Sequence, residues 1–167
     1  MTVQKNLVLE DVQVRQKIRR MAYEIYENNF SEKVIVLAGI EGQGYVLAQL
    51  LSKEIVSISP LEAVTVKVSV NKESPQKEEV KLDVLLESLK KKSVILIDDV
   101  LNSGRTLAYG MKPFLAIEVK KIEVAVLVNR SHPRFPVQPN YTGYELSTTL
   151  TEHVEVLLGK KSAVYLH

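Results

Sequence analysis

Apolar residues recur along this chain in two rhythms, and each rhythm predicts an element. From Asp11 to about Asn29, the residues Ile18, Met21, Ala22, Ile25 and Tyr26 lie three or four positions apart. That spacing is the single stripe of an amphipathic helix, which Asp11 could cap. Arg15, Lys17, Arg19 and Arg20 crowd its other faces. Two unbroken apolar runs, 34–38 and 94–97, and a third stretch, 122–128, broken only by Glu123, predict strands buried on both faces, as in a parallel sheet. Between 63 and 70, Val64, Val66, Val68 and Val70 alternate with Thr65, Lys67 and Ser69, which predicts a strand with unlike faces. Residues 39–44 read as a loop, 45 to about 55 as a helix, 71–80 as a polar mobile loop and 82–89 as a short helix. The stretch from Thr106 to about Val119 looks helical, but Gly110 and Pro113 weaken or kink it. Pro133, Pro136, Pro139 and Gly143 make 130–143 a loop, and 154–158 and 163–166 read as short final strands. Strands alternating with helices, followed by a loop-rich end, predict an α/β fold: a mainly parallel sheet flanked by helices, with a small cap. No repeat, low-complexity tract or linker divides the chain, so residues 1–167 are expected to form one domain.

Composition narrows the chemistry. The 167 residues are 46% hydrophobic and 25% charged, ordinary for a globular protein, and a net charge of +2 does not by itself demand a nucleic-acid partner. Cysteine is absent, which excludes disulfides, thiolate metal sites and cysteine nucleophiles. The three histidines, His132, His153 and His167, are too scattered to suggest a metal centre. No apolar run approaches membrane-spanning length, and the opening Met-Thr-Val-Gln-Lys-Asn lacks the apolar core of a leader peptide, so a cytoplasmic location is expected.

The most informative stretch is Val94-Ile-Leu-Ile-Asp98-Asp99-Val-Leu-Asn102-Ser103-Gly104-Arg105-Thr106. A buried strand runs into two adjacent carboxylates, and ligands of open α/β sheets bind outside the carboxyl ends of the strands. The Asn-Ser-Gly-Arg-Thr turn at a helix start offers hydroxyls, small side chains and backbone N–H groups, the parts of a phosphate cradle. Acceptors for hydroxyls beside donors for a phosphate suit a ribose 5-phosphate. A second loop, Gly39-Ile40-Glu41-Gly42-Gln43-Gly44, lies between a strand and a helix, where its glycines let the backbone approach an anion.

The 94–106 string resembles the phosphoribosyl pyrophosphate (PRPP) signature of type I phosphoribosyltransferases. Over nearly its full length, the chain is similar to the pyrimidine-operon attenuation regulator / uracil phosphoribosyltransferase family. The similar segments are 8–12 and 18–22, Gly39-Ile40 with Gly44 and Leu47-Ala48, 98–106 with Gly110-Met111, and 126–132 with Pro136, Tyr141 and Gly143. The resemblance implies the type I fold, a central mainly parallel sheet with a small hood from the chain's N- and C-terminal parts. It implies transfer of 5-phosphoribosyl from PRPP to a nucleobase, uracil first, with Mg²⁺ as cofactor. Asp98 and Asp99 would bind the ribose 2- and 3-hydroxyls, and one of them would contact the metal indirectly, the metal being held mainly by substrate oxygens. Asn102, Ser103, Gly104, Arg105 and Thr106 would hold the 5-phosphate. Gly39, Glu41, Gly42, Gln43 and Gly44 form the pyrophosphate loop. Lys72 would open a closing loop and act with the two aspartates in catalysis, and Arg130 and Tyr141 would lie near the base or pyrophosphate. A homodimer or larger assembly is implied, with no membrane partner. The alternatives are a catalytically weak, nucleotide-sensing RNA-binding regulator, which is not favoured, and a phosphoribosyltransferase for another base.

The chain departs from the family at three places. Gly42-Gln43 stands where Thr-Arg is usual, and Asn71-Lys72-Glu73 where Tyr-Arg-Asp is usual. Pro133 follows His132, with the basic residue, Arg134, one place later. Purine-specific relatives typically carry an aspartate at the position of Asn102, and asparagine cannot act as a general base, which argues against hypoxanthine or guanine.

Overall fold

A computed structural model describes residues 4–167; Met1, Thr2 and Val3, within the opening stretch read above, lie outside the described residues. The chain runs through strand β1 (Asn6–Leu9), helix α1 (Asp11–Asn29), β2 (Val34–Ile40), α2 (Gln43–Ile58), β3 (Glu62–Ser69) and β4 (Lys81–Leu82). After a 3₁₀ turn at Leu86–Leu89 come β5 (Ser93–Leu101), α3 (Arg105–Gly110), α4 (Lys112–Leu115), β6 (Lys121–Asn129), β7 (Tyr141–Glu145), β8 (Val154–Leu157) and β9 (Ala163–Leu166). Six strands form one sheet in the order β4-β3-β2-β5-β6-β7, parallel throughout except for β4, which runs antiparallel to β3. A separate antiparallel sheet, β1-β9-β8, forms the hood.

Two cores flank the large sheet, and the apolar runs divide between them by the two-residue period of a strand. Ile35, Leu37, Ile95 and Ile97 face one way, against Ile18, Met21 and Ile25 of α1 and Leu47, Leu51 and Ile55 of α2. Val36, Ala38, Val94 and Leu96 face the other, against Leu107 and Phe114. Unbroken apolar sequence is therefore required in β2 and β5, because neither face meets water.

Several expected boundaries shift. Asp11 is the first helical residue and Glu10 the cap; Gln13 Oε1 accepts the Glu10 N–H at 2.9 Å, while Asp11 accepts the Ser162 N–H at 2.8 Å and ties α1 to the hood. β5 does not end at Ile97 but continues through both acids, since Asp98 pairs with Val126 and Val100 with Val128 of β6. Residues 106–119 split into two short helices, with Pro113 in the first turn of the second, where a missing N–H costs nothing. Residues 82–89 form the end of β4 and a 3₁₀ turn instead of an α-helix, and β1 and β7 had no counterpart in the expected elements.

From β2 the chain crosses through α2 to β3 on one side, then returns to β5 on the other. The carboxyl ends of β2 and β5 thus flank a topological switch point, where open sheets leave a crevice.

Candidate functional site

A cavity of about 220 Å³ opens at the end of β5, lined by Lys72, residues 98–107 and Val154 of the hood. The sequence put seven of these together in one string, Asp98, Asp99 and Asn102–Thr106, and Lys72 joins them from the loop after β3. Val154 carried no sequence signal, because an apolar strand residue looks alike whether it faces a ligand or a core.

The turn is built to hold its shape. Gly104 is left-handed (φ +87°), and a side chain there would be strained and would crowd Val137 and the Phe135 carbonyl. The Ser103 carbonyl accepts N–H groups from Arg134 and Phe135 at 2.9 and 3.0 Å, so the proline-rich loop braces the turn from outside. Ser103 Oγ accepts the Arg105 N–H at 3.3 Å. Ala108 is the residue whose N–H reaches back to the Gly104 carbonyl (2.9 Å); earlier N–H groups of a helix have no carbonyl of their own. The Arg105 side chain donates to the Lys72 carbonyl at 2.7 Å and fastens the 71–80 loop to the turn.

Asp98 is almost fully buried and Asp99 partly so. Burial, then the neighbouring Asp99 charge, push the Asp98 carboxyl well above the ordinary carboxylate range; Lys72 pulls the other way. Its Oδ1 accepts the Asp99 N–H at 2.9 Å.

Residues 39–44 do not line the cavity, yet they meet it at one point. A Cβ on Gly44 would lie 2.9 Å from Asp98 Oδ1 and 3.0 Å from the Ile97 carbonyl. The absence of that carbon brings the start of α2 against the strand that carries the acids. Gly39 and Ile40 belong to β2, and only Glu41 and Gly42 lie between strand and helix. Gln43 turns its Oε1 to the Leu158 N–H at 2.7 Å, latching α2 to the hood.

Arg130 and Tyr141, expected near the base or pyrophosphate, do not line this cavity. Arg130 Nη1 donates to Asn102 Oδ1 (2.8 Å) and Nε to Thr148 Oγ1 (3.0 Å), while Nη2 reaches the Thr149 and Glu152 carbonyls, so the hood loop consumes the guanidinium. Tyr141 pairs with Ala125 in the sheet, packs in the core with α1 and donates its hydroxyl to Glu123 Oε2 at 2.9 Å. Burial and the Glu123 charge raise its pKa beyond any physiological range.

No group of three or more His, Asp or Glu residues among the described residues could cage a metal. Two adjacent carboxylates beside a ligand cavity do suit a hard cation that keeps most of its waters and shares substrate oxygens, as Mg²⁺ does. No helix among the described residues is long and apolar enough to cross a membrane.

Comparison with known proteins follows the same lines. The family model described as phosphoribosyl transferase domain matches residues 8–157. The bifunctional protein PyrR of Fusobacterium nucleatum is 29% identical, over 99% of this chain and all of that protein. The bifunctional protein PyrR of Bacillus cereus (strain AH820) is 32% identical, over 92% of this chain and 90% of its own length. Among solved structures, the hypoxanthine phosphoribosyltransferase of Trypanosoma cruzi superposes with a TM-score of 0.72 at 13% identity, over 84% of this chain and 81% of that one. A hypoxanthine-guanine phosphoribosyltransferase of Bacillus anthracis gives 0.71 at 19%, over 91% and 88%. These two likenesses show the fold, type I, and nothing of the base.

Proposed function

Because the chain belongs to the phosphoribosyl transferase domain family, and within it to the bifunctional PyrR proteins, we propose that it transfers 5-phosphoribosyl from PRPP to uracil, giving UMP and pyrophosphate. The observation that carries this is a single cavity holding two adjacent carboxylates, a hydroxyl-bearing turn at a helix start and a lysine. A bond forms from a ring nitrogen of the base to C1 of the ribose, the proton on that nitrogen passes to solvent, and the bond from C1 to pyrophosphate oxygen breaks with its electron pair leaving on the pyrophosphate. Positive charge develops on the sugar as the leaving group departs. The protein's work is to hold the reactants in line and balance separating charges. Asp98 and Asp99 accept from the ribose hydroxyls. Residues 102–106 hold the 5-phosphate through backbone N–H groups and the Ser103 and Thr106 hydroxyls. Lys72 faces the pyrophosphate side, and its loop, held by Arg105, excludes the water that would compete for the sugar. Bound Mg²⁺ would orient the donor and neutralise the leaving group, with Asp98 or Asp99 touching it through water.

The base is the finer part of the proposal, supported by the PyrR relatives and by Asn102, which cannot take a proton from a purine. A panel of uracil, hypoxanthine, guanine and orotate with PRPP and Mg²⁺, followed by pyrophosphate release, tests it. Release with uracil at least tenfold above the other bases is expected; release with hypoxanthine or guanine alone would refute the assignment. An RNA-binding regulator is the alternative, on the basic face of α1. Its cations are partly engaged within the chain: Arg15 with Asp11, Arg20 with Glu24, Lys17 over the Tyr144 ring. RNA affinity falling steeply with salt in the same preparation would favour it.

A further inference from the structure

A groove of about 390 Å³ lies on the face of the sheet opposite α1 and α2, and it shares no residue with the cavity of Asp98 and Asp99. One wall is an alternating row, Val80, Leu82, Val84 and Leu86, along the outermost strand and the turn after it; Pro113 and Ala116, in and just after α4, form the other. The four side chains of the row pack on the second core yet stay half-buried. The groove also takes in Glu79, near the end of the 71–80 loop that Lys72 helps to open.

The borders of the groove are as apolar as its walls. Leu85, between two lining residues, is 81% exposed, and Leu115, beside Ala116, is 70% exposed. Apolar residues scattered singly over a surface are ordinary, whereas apolar surface gathered in one place marks an interaction site. The charged groups of the groove are one acid, Glu79, and one base, Lys112. Among the described residues neither forms an ion pair, with the other or with anything else; Lys112 Nζ instead lies 5.7 Å from the centroid of the Tyr109 ring. An anionic membrane surface selects cations, and a charged peptide selects one sign. An acid and a base left unpaired on one face are complementary to that same face turned through a two-fold axis, where residue i meets j and j meets i.

We propose that a second copy of the chain docks in this groove across a two-fold axis. Glu79 of each copy meets Lys112 of the other, and Leu85 and Leu115 of each supply apolar bulk to the opposite groove. Burial of those side chains drives the association, while the ion pairs, which add little energy at a surface, set its register. Each copy thereby holds the far end of the other's 71–80 loop.

The test is sedimentation velocity on the full chain over a concentration series. It compares wild type, Leu85→Asp/Leu115→Asp, Glu79→Lys, Lys112→Glu and the charge swap Glu79→Lys/Lys112→Glu. All four positions are exposed, so the fold should survive each change, and thermal melts check that it does. The wild type is expected to associate, and the paired leucine variant to fall to a smaller species. Each single charge variant sets like charges face to face and should weaken association about tenfold, and the swap should recover it to within about threefold of wild type. A wild type that stays monomeric overturns the proposal and leaves the groove to another partner. Association untouched by the leucine pair places the interface elsewhere and overturns it equally. Single charge variants without effect, or a loss that the swap does not recover, overturn the two-fold pairing. The charge variants leave the apolar walls intact and decide the matter even if the leucine pair fails to fold.

Discussion

Asp98 is the residue at which site and stability conflict. Its carboxyl titrates well above the ordinary value of 3.8 because burial and Asp99 disfavour its charge. A folded-state pKa above the unfolded one means that the native state holds the proton more tightly. The stability this gives is fully present below the unfolded value and is lost as pH rises through the folded one. Asp98→Asn removes the charge and keeps an oxygen for the Asp99 N–H. It should therefore raise stability at pH 8 by about 0.5–2 kcal/mol, the usual scale for relieving such a strain, with little gain at pH 4. Thermal melts at the two pH values check this, and equal gains at both would sink it. Asp98 was singled out in sequence by the whole string, an apolar run, two acids and a Ser-Gly turn, since two acids closing a strand can equally be a solvated edge. The positions of Arg130 and Tyr141 were not legible. An arginine after a strand reads the same whether it meets a ligand or three hood-loop residues, and Tyr141 looked like part of a loop until Glu123 was seen beneath its hydroxyl.

Helix α2 and strand β5 meet without a gap at Gly44. Gly44→Ala would set a methyl carbon 3.1 Å from the Asp98 Cα and 3.0 Å from the Ile97 carbonyl. Those are backbone atoms of a central strand, which cannot swing aside. The expected cost is about 1–3 kcal/mol, seen as a lower urea midpoint, and weaker PRPP binding because the acids move. An unchanged midpoint would mean that α2 slides freely. The long apolar elements were legible because β2, β5 and β6 are buried on both faces and α1 carries one clean stripe. β7 escaped notice because three prolines precede it and a glycine lies within it, the marks of a loop. β4 is two residues long, below what any periodicity can register.

The molecule as a whole is a sheet with a hood that shares its core: Leu9, Val156 and Val164 pack with α1, α2 and the sheet. Hydrogen bonds from the Leu158 N–H to Gln43 and from the Ser162 N–H to Asp11 add to that joint. Gln43→Ala frees the Leu158 N–H. At about 1 kcal/mol for one hydrogen bond, amide exchange across β8 and β9 should quicken roughly fivefold while β2 and β5 stay protected. Uniform acceleration in all strands would show that hood and sheet open together. The hood also has an unusual genealogy within the chain: Asn6 pairs with Leu166, and Leu7 with Tyr165. During synthesis, the strands of the large sheet emerge and can dock while β1 still lacks a neighbour. Loop closure across so many residues comes late and slowly. A ribosome-bound chain would thus display its acids on an unroofed crevice, and would gain its roof only once residues 163–166 had been made.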